Sequence, residues 1–144
     1  MTHTSANVYE LIPMAHVADV EESIRFYELL GFRVRDRLRP AGRTQWAWID
    51  SGRGHLMLAA ASGPIAAGEQ AVLFYLYTRD LASLRQRLLA GGLADGGAFC
   101  GFPSDRRRVV FAISHPPYMA EGEMRVVDPD GYCLLIGQCE LQPD

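Results

Sequence analysis

The chain has only three cysteines, Cys100, Cys133 and Cys139, with no C-x-x-C spacing, so neither a disulfide framework nor a structural zinc site is written into it. Free thiols in a reducing compartment are expected. No apolar run approaches the roughly 18 residues that a membrane span requires, and the N-terminus lacks a basic segment followed by a hydrophobic core. A cytoplasmic protein with no membrane partner is expected. A dominant charge is missing too: 14 Lys and Arg against 17 Asp and Glu leave a formal charge of -3. That balance supplies no global field for nucleic acid, and none is expected as a partner. The arginines between Arg33 and Arg43 and the run Arg106-Arg107-Arg108 read as solvated surface, the run being at most a weak hint of an acidic partner.

What is present is a globular composition, 49% hydrophobic and 22% charged, and an internal repeat. Ile12 to Asp19, then Val20 to Leu30 and Gly31, recurs 61 positions later as Leu73 to Asp80, then Leu81 to Ala90 and Gly91-Gly92. Each copy reads as apolar strand, aspartate, amphipathic helix, glycine. Halves of about 70 residues are marginal alone, so residues 1–144 read as one domain of two modules sharing a core. Module one covers about 8–60, a linker about 61–70, and module two about 71–140.

Asp19 is an expected N-cap with Glu22 placed to complete a capping box, ahead of a stripe of Val20, Ile24 and Tyr27 or Leu30. Asp80 repeats the cap before Leu81, Leu84 and Leu88, with Ser83 where the glutamate would stand. After the first helix, strands are expected at Phe32 to Leu38, Thr44 to Asp50 and His55 to Ala60, the last two joined by Ser51-Gly-Arg-Gly54. Module one thus reads βαβββ. Ala61 to Gln70 reads as a linker without structure of its own. In module two, the glycine-rich Gly92 to Arg106 reads as a long loop, followed by a strand-like Arg107 to Ser114. A closing hairpin, Glu123 to Asp128 and Tyr132 to Gly137, turns at Asp128-Pro-Asp-Gly131.

The βαβββ order used twice, the segment His16 to Phe32 and the closing Asp128 to Gln138 together resemble the vicinal oxygen chelate superfamily, which includes glyoxalase I, extradiol dioxygenases, fosfomycin-resistance enzymes and bleomycin-resistance proteins. The resemblance covers nearly the whole chain. It implies an α+β fold in which tandem βαβββ modules form a curved mixed sheet around a cup-shaped cavity. It also implies where a metal would be held: seven residues before each helix-capping aspartate, at Ile12 and Leu73; four after the glycine of the closing turn, at Leu135; and at the end of module one, at Met57. All four are poor ligands for the divalent ions of this family. No metal and no cofactor are therefore expected, and no catalytic residue can be assigned.

Period-two alternation assigns the side chains that join those positions on the cavity face: Met14 and His16 beside Ile12, Tyr75 and Tyr77 beside Leu73, His55 and Ala59 beside Met57, and Trp46 and Trp48 opposite Ala47 and Ile49. With Tyr118 as an aromatic lid in a loop containing His115, this gives a ligand-binding set of Met14, His16, Trp46, Trp48, His55, Met57, Tyr75, Tyr77 and Tyr118. Such a mostly apolar lining with a few polar tips suits a small organic molecule, although the same aromatics equally suit core filling. Neither His16 nor His55 has an evident carboxylate beside it in sequence, and His3 stands in the N-terminal tail. The leading expectation is a metal-free binder of an aromatic or planar ligand, a homodimer by analogy with the bleomycin-resistance branch; with almost no acidic lining, bleomycin itself is not the expected ligand. The alternatives are a lyase, isomerase or dioxygenase with a rearranged metal site, for example His16, His55 and Glu123, and a structural or regulatory partner whose cup is filled by its own side chains.

Overall fold

Both helices begin at the aspartates that the repeat marks. In the computed structural model, which describes residues 7–100 and 106–140, α1 spans Val20–Leu29 and α2 spans Leu81–Ala90. Each aspartate turns its carboxylate back to accept from an otherwise orphaned amide: Asp19 from the Glu22 N–H at 3.1 Å, Asp80 from the Ser83 N–H at 3.0 Å. The Ser83 hydroxyl adds a second bond to Asp80. The expected capping box does not close at α1, because the Glu22 carboxylate takes the charged Arg108 of module two at 3.3 Å, a stronger type of donor than a backbone amide.

Module one forms a four-stranded sheet from β1 (Met14–Val17), β2 (Arg33–Leu38), β3 (Trp46–Ser51) and β4 (Gly54–Ala60), in the order β1-β4-β3-β2. Strand β1 runs parallel to β4; the other pairs are antiparallel. Module two forms a five-stranded sheet from β5 (Leu73–Thr78), β6 (Ala94–Asp95), β7 (Val109–Val110), β8 (Glu123–Val127) and β9 (Cys133–Gln138), ordered β5-β9-β8-β7-β6. The order β5-β9-β8-β7 repeats that of module one, and β6 is an addition. Strand β6 lies inside the stretch read as a loop: the Ala94 N–H donates to Arg108 O and the Gly96 N–H to Val110 O. These bonds divide the backbone groups of the following segment between β6 and β8. The expected strand Arg107 to Ser114 is consequently cut to the two residues of β7 and a single bridge from Ser114 to Glu123.

The helix-facing side chains of both sheets share one core. Ala15, Val17, Ala47, Ile49 and Leu58 meet α1, and the cluster continues through Met124, Val126, Leu134 and Ile136 of module two. A polar joint runs through the turn at residues 128–131. The buried Tyr27 hydroxyl donates to Asp128 at 2.7 Å, while Asp130 accepts from the Ala18 N–H at 2.8 Å and the Ser23 hydroxyl at 3.3 Å. Tyr132 donates to the His16 carbonyl at 3.1 Å.

The linker is not structureless. Ala67–Glu69 makes a 3-10 turn with Ala67 buried, and its backbone sits on the closing turn so closely that a Cβ at Gly131 would lie 2.1 Å from the Ala67 oxygen. With φ at +88° as well, only glycine suits that position.

Candidate functional site

Each sheet has one face in the core and one turned away from it. In module one, strand register puts Met14, Met57 and Trp48 in one row of the outward face and His16, Ala59 and Trp46 in the next. Ala47 and Ile49 are fully buried beneath them, whereas Trp46 and Trp48 are half-buried. The period-two alternation of β3 is therefore present, with Ala47 and Ile49 on the core face and Trp46 and Trp48 on the other. Ile12 lies two residues before the start of β1.

The same face carries a feature that sequence reasoning missed. The hairpin pairs Asp50 with His55 across the turn of residues 51–54, and Asp50 Oδ1 accepts from His55 Nδ1 at 2.5 Å and from the Trp48 indole N–H at 2.6 Å. His55 therefore does have a carboxylate partner, contrary to expectation. The bond needs a proton on Nδ1, so that whenever the ring is neutral Nε2 is its acceptor. Burial pushes the Asp50 carboxyl up, but the hydrogen bonds from His55 and Trp48, helped by the charges of His55 and Arg35, outweigh it and hold the group below its ordinary range. The clue was the short turn, since a two-residue hairpin loop at Gly52-Arg53 pairs Ser51 with Gly54 and, next to them, Asp50 with His55.

A register shift between Val34 and Asp36 makes Arg35 the extra residue of a β-bulge. Bulges re-aim side chains, and here the Arg35 guanidinium lies over the Trp48 ring, 4.6 Å from its centroid.

In module two the outward face carries Leu73, Tyr75 and Tyr77 on β5, Leu135 and Gly137 on β9, and Glu123 and Arg125 on β8. Tyr75 and Tyr77 pack at a tilt of 49°, with 5.1 Å between centroids. Glu123 is 3% exposed, and its two oxygens accept from Tyr75 at 2.5 Å and from Tyr118 at 2.6 Å. The structure thereby joins Tyr118 to Tyr75 through a carboxylate that the expected lining omitted. Burial, reinforced by Glu123, pushes the Tyr75 hydroxyl up and keeps it a donor. Glycine at 137 makes room for this arrangement: a Cβ there would lie 2.9 Å from the Tyr75 hydroxyl. Arg125 stacks on Phe99 at 4.0 Å.

Two cavities of about 250 Å³ border this face. One is lined by Phe99, Ser114, Tyr118, Glu123 and Arg125; the other sets Tyr75 and Tyr77 against Leu30, Phe32 and Arg53 of module one. His115 is held elsewhere, its Nδ1 3.0 Å from the Ala120 carbonyl. His3 lies outside the described residues.

The positions at which the resemblance implies metal ligands carry hydrocarbon side chains and one thioether, and Leu135 is 7% exposed against the Tyr75 row. This donor set does not fit a hard or borderline divalent ion. The rearranged set of His16, His55 and Glu123 is not assembled either: among the described residues no three His, Cys, Asp or Glu side chains gather closely enough to hold one. Also among the described residues, no helix is long and apolar enough to cross a membrane.

A family model described as "Glyoxalase/Bleomycin resistance protein/Dioxygenase superfamily" matches residues 12–135. Among solved structures, a bleomycin-binding protein complexed with bleomycin is 22% identical, with a TM-score of 0.68 over 92% of this chain and 100% of that one. The bleomycin-binding protein of bleomycin-producing Streptomyces verticillus, complexed with copper(II)-bleomycin, is 18% identical, with a TM-score of 0.64 over 94% and 100%. TnmS3, an antibiotic binding protein from Streptomyces sp. CB03234, is 18% identical, with a TM-score of 0.65 over the same shares. No curated protein matches the chain.

Proposed function

The chain belongs to the glyoxalase/bleomycin resistance protein/dioxygenase superfamily, and within it we propose a small-molecule binder that sequesters a planar organic ligand without a metal. The observation that carries this reading is the replacement of the family's ligand positions by Ile12, Met57, Leu73 and Leu135, on faces furnished with tryptophan, tyrosine and methionine. Rings of this kind bind by stacking and burial, with polar tips to orient the guest. The solved neighbours described as bleomycin- or antibiotic-binding support the same class.

A homodimer is part of the proposal. In a single chain Met14, Leu73 and Tyr77 are more than half exposed, and a second copy covering these faces would bury them. A cytoplasmic location is proposed with it.

Elemental analysis of untagged protein offered zinc, nickel, manganese and iron(II) tests the metal-free reading. Near-zero metal is the expected result; one tightly held ion per chain overturns it. Tryptophan fluorescence then screens planar compounds, with saturable quenching expected in the native protein and lost in Trp48→Phe. One observation favours an enzyme instead, the carboxylate-held His55. Turnover of any substrate that vanished in His55→Ala with binding intact would establish that second reading.

A further inference from the structure

We propose that the ligand is a planar aromatic acid, its ring lying against the outward face of module one and its anionic group received by the Arg35 guanidinium. The inference rests on the planar-ligand reading and adds the charge of the guest.

A guanidinium that stacks on an indole uses its π-face, and its five N–H donors remain in the ring plane, pointing outward as a fork matched to a carboxylate. The Arg35 guanidinium carbon lies over the Trp48 ring, 4.6 Å from its centroid. Arg35 is exposed, and among the described residues it makes no ion pair. The nearby carboxylates are engaged by other donors: Asp50 by Trp48 and His55, and Asp36 by the Arg37 N–H at 2.8 Å.

The posture is also built rather than incidental. The bulge at Arg35 turns the side chain onto Trp48, and Asp50 anchors the indole from its other end. Fixing both the plate and the fork in advance lowers the ordering cost of binding. On the other module Arg125 also lies over an aromatic ring, Phe99, beside the 250 Å³ cavity, but there it hydrogen-bonds Tyr118 and shares the lining with the buried Glu123.

Isothermal titration calorimetry of the intact protein with 2-naphthoate, 2-naphthalenemethanol and 2-naphthylmethylammonium at low salt tests this, because the three differ in charge and hardly in shape. Naphthoate is expected to bind about tenfold more tightly than the alcohol, and the ammonium more weakly than either. In Arg35→Gln the ratio of naphthoate to alcohol affinity should fall to about one; Arg35→Lys, which keeps the charge but not the fork, should retain part of the preference. Equal or tighter binding of the ammonium, or a naphthoate preference that survives Arg35→Gln, overturns the inference and leaves the planar-ligand reading standing. Failure of all three probes to bind removes that reading and this inference with it.

Discussion

The last hairpins of the two modules occupy equivalent places in their sheets, β3–β4 in one and β8–β9 in the other, yet their turns have diverged in opposite directions. The turn at residues 51–54 opens to solvent, and Asp50 at its base turns to the outward face to hold Trp48 and His55. The turn at residues 128–131 is driven into the molecule, where Asp128 and Asp130 hold α1 and the linker presses on Gly131. One carboxylate shapes a surface that can meet a guest, and the other two join the modules. A duplicated unit can thus send equivalent turn carboxylates to opposite sides of its sheets without changing strand order.

The sharpest way to break this contrast is a matched pair of glycine substitutions. Gly131→Ala should lose about 3 kcal/mol or more in urea unfolding, from left-handed strain together with overpacking against the Ala67 backbone. Gly52→Ala, whose Cβ meets nothing within 4 Å, should lose only the left-handed penalty of about 1 kcal/mol. Similar losses at both sites would mean that the two turns are not differently embedded.

The pH dependence should differ in sign. Burial raises the Asp128 carboxyl to about 6 against Tyr27 and two backbone amides that favour its charged form. Its protonated form is therefore favoured by folding, so this group's stabilisation is full below about pH 4 and is lost as pH rises through 6. Unfolding free energies measured from pH 7 to pH 4 should move in favour of the native protein over Asp128→Asn, by up to about 3 kcal/mol. Asp50, held below its ordinary range, contributes above pH 4 and loses its contribution as pH falls further. Asp50→Asn should flatten that acid limb, and a shared sign for the two variants would refute the contrast.

Tyr27→Phe leaves the buried Asp128 without its hydroxyl donor and should destabilise by about 1–3 kcal/mol, with Asp50→Ala on the more open turn at about 1 kcal/mol or less. Smallest and most alike should be the helix caps. Asp19→Ala and Asp80→Ala each remove one capping carboxylate at an equivalent place, and each should lower the melting temperature slightly and by a similar amount.

These contrasts also mark what the sequence made legible. The caps, the two hairpin turns and the outward tryptophans follow from local rules, since Asp19, Gly131 and the alternation from Trp46 to Ile49 act within a few residues. The bulge at Arg35 follows from no such rule, because it depends on how β2 fits β3. Nor does the meeting of Tyr75, Tyr118 and Glu123, which requires β5, β9 and β8 to be already side by side. Strand β6 was missed for a related reason: a two-residue pairing carries no periodicity. Asp50 and His55 alone were within reach, through the length of their turn.

The joint at Asp128 also bears on the order of events as the chain leaves the ribosome. Helix α1 is made early, but the acceptors for Tyr27 and the Ala18 amide follow 101 and 112 residues later. Contacts of such separation slow folding and leave the early module incompletely closed during synthesis. Until the second hairpin docks, the first module carries an unfinished seam, its Tyr27 hydroxyl and Ala18 amide without their native acceptors.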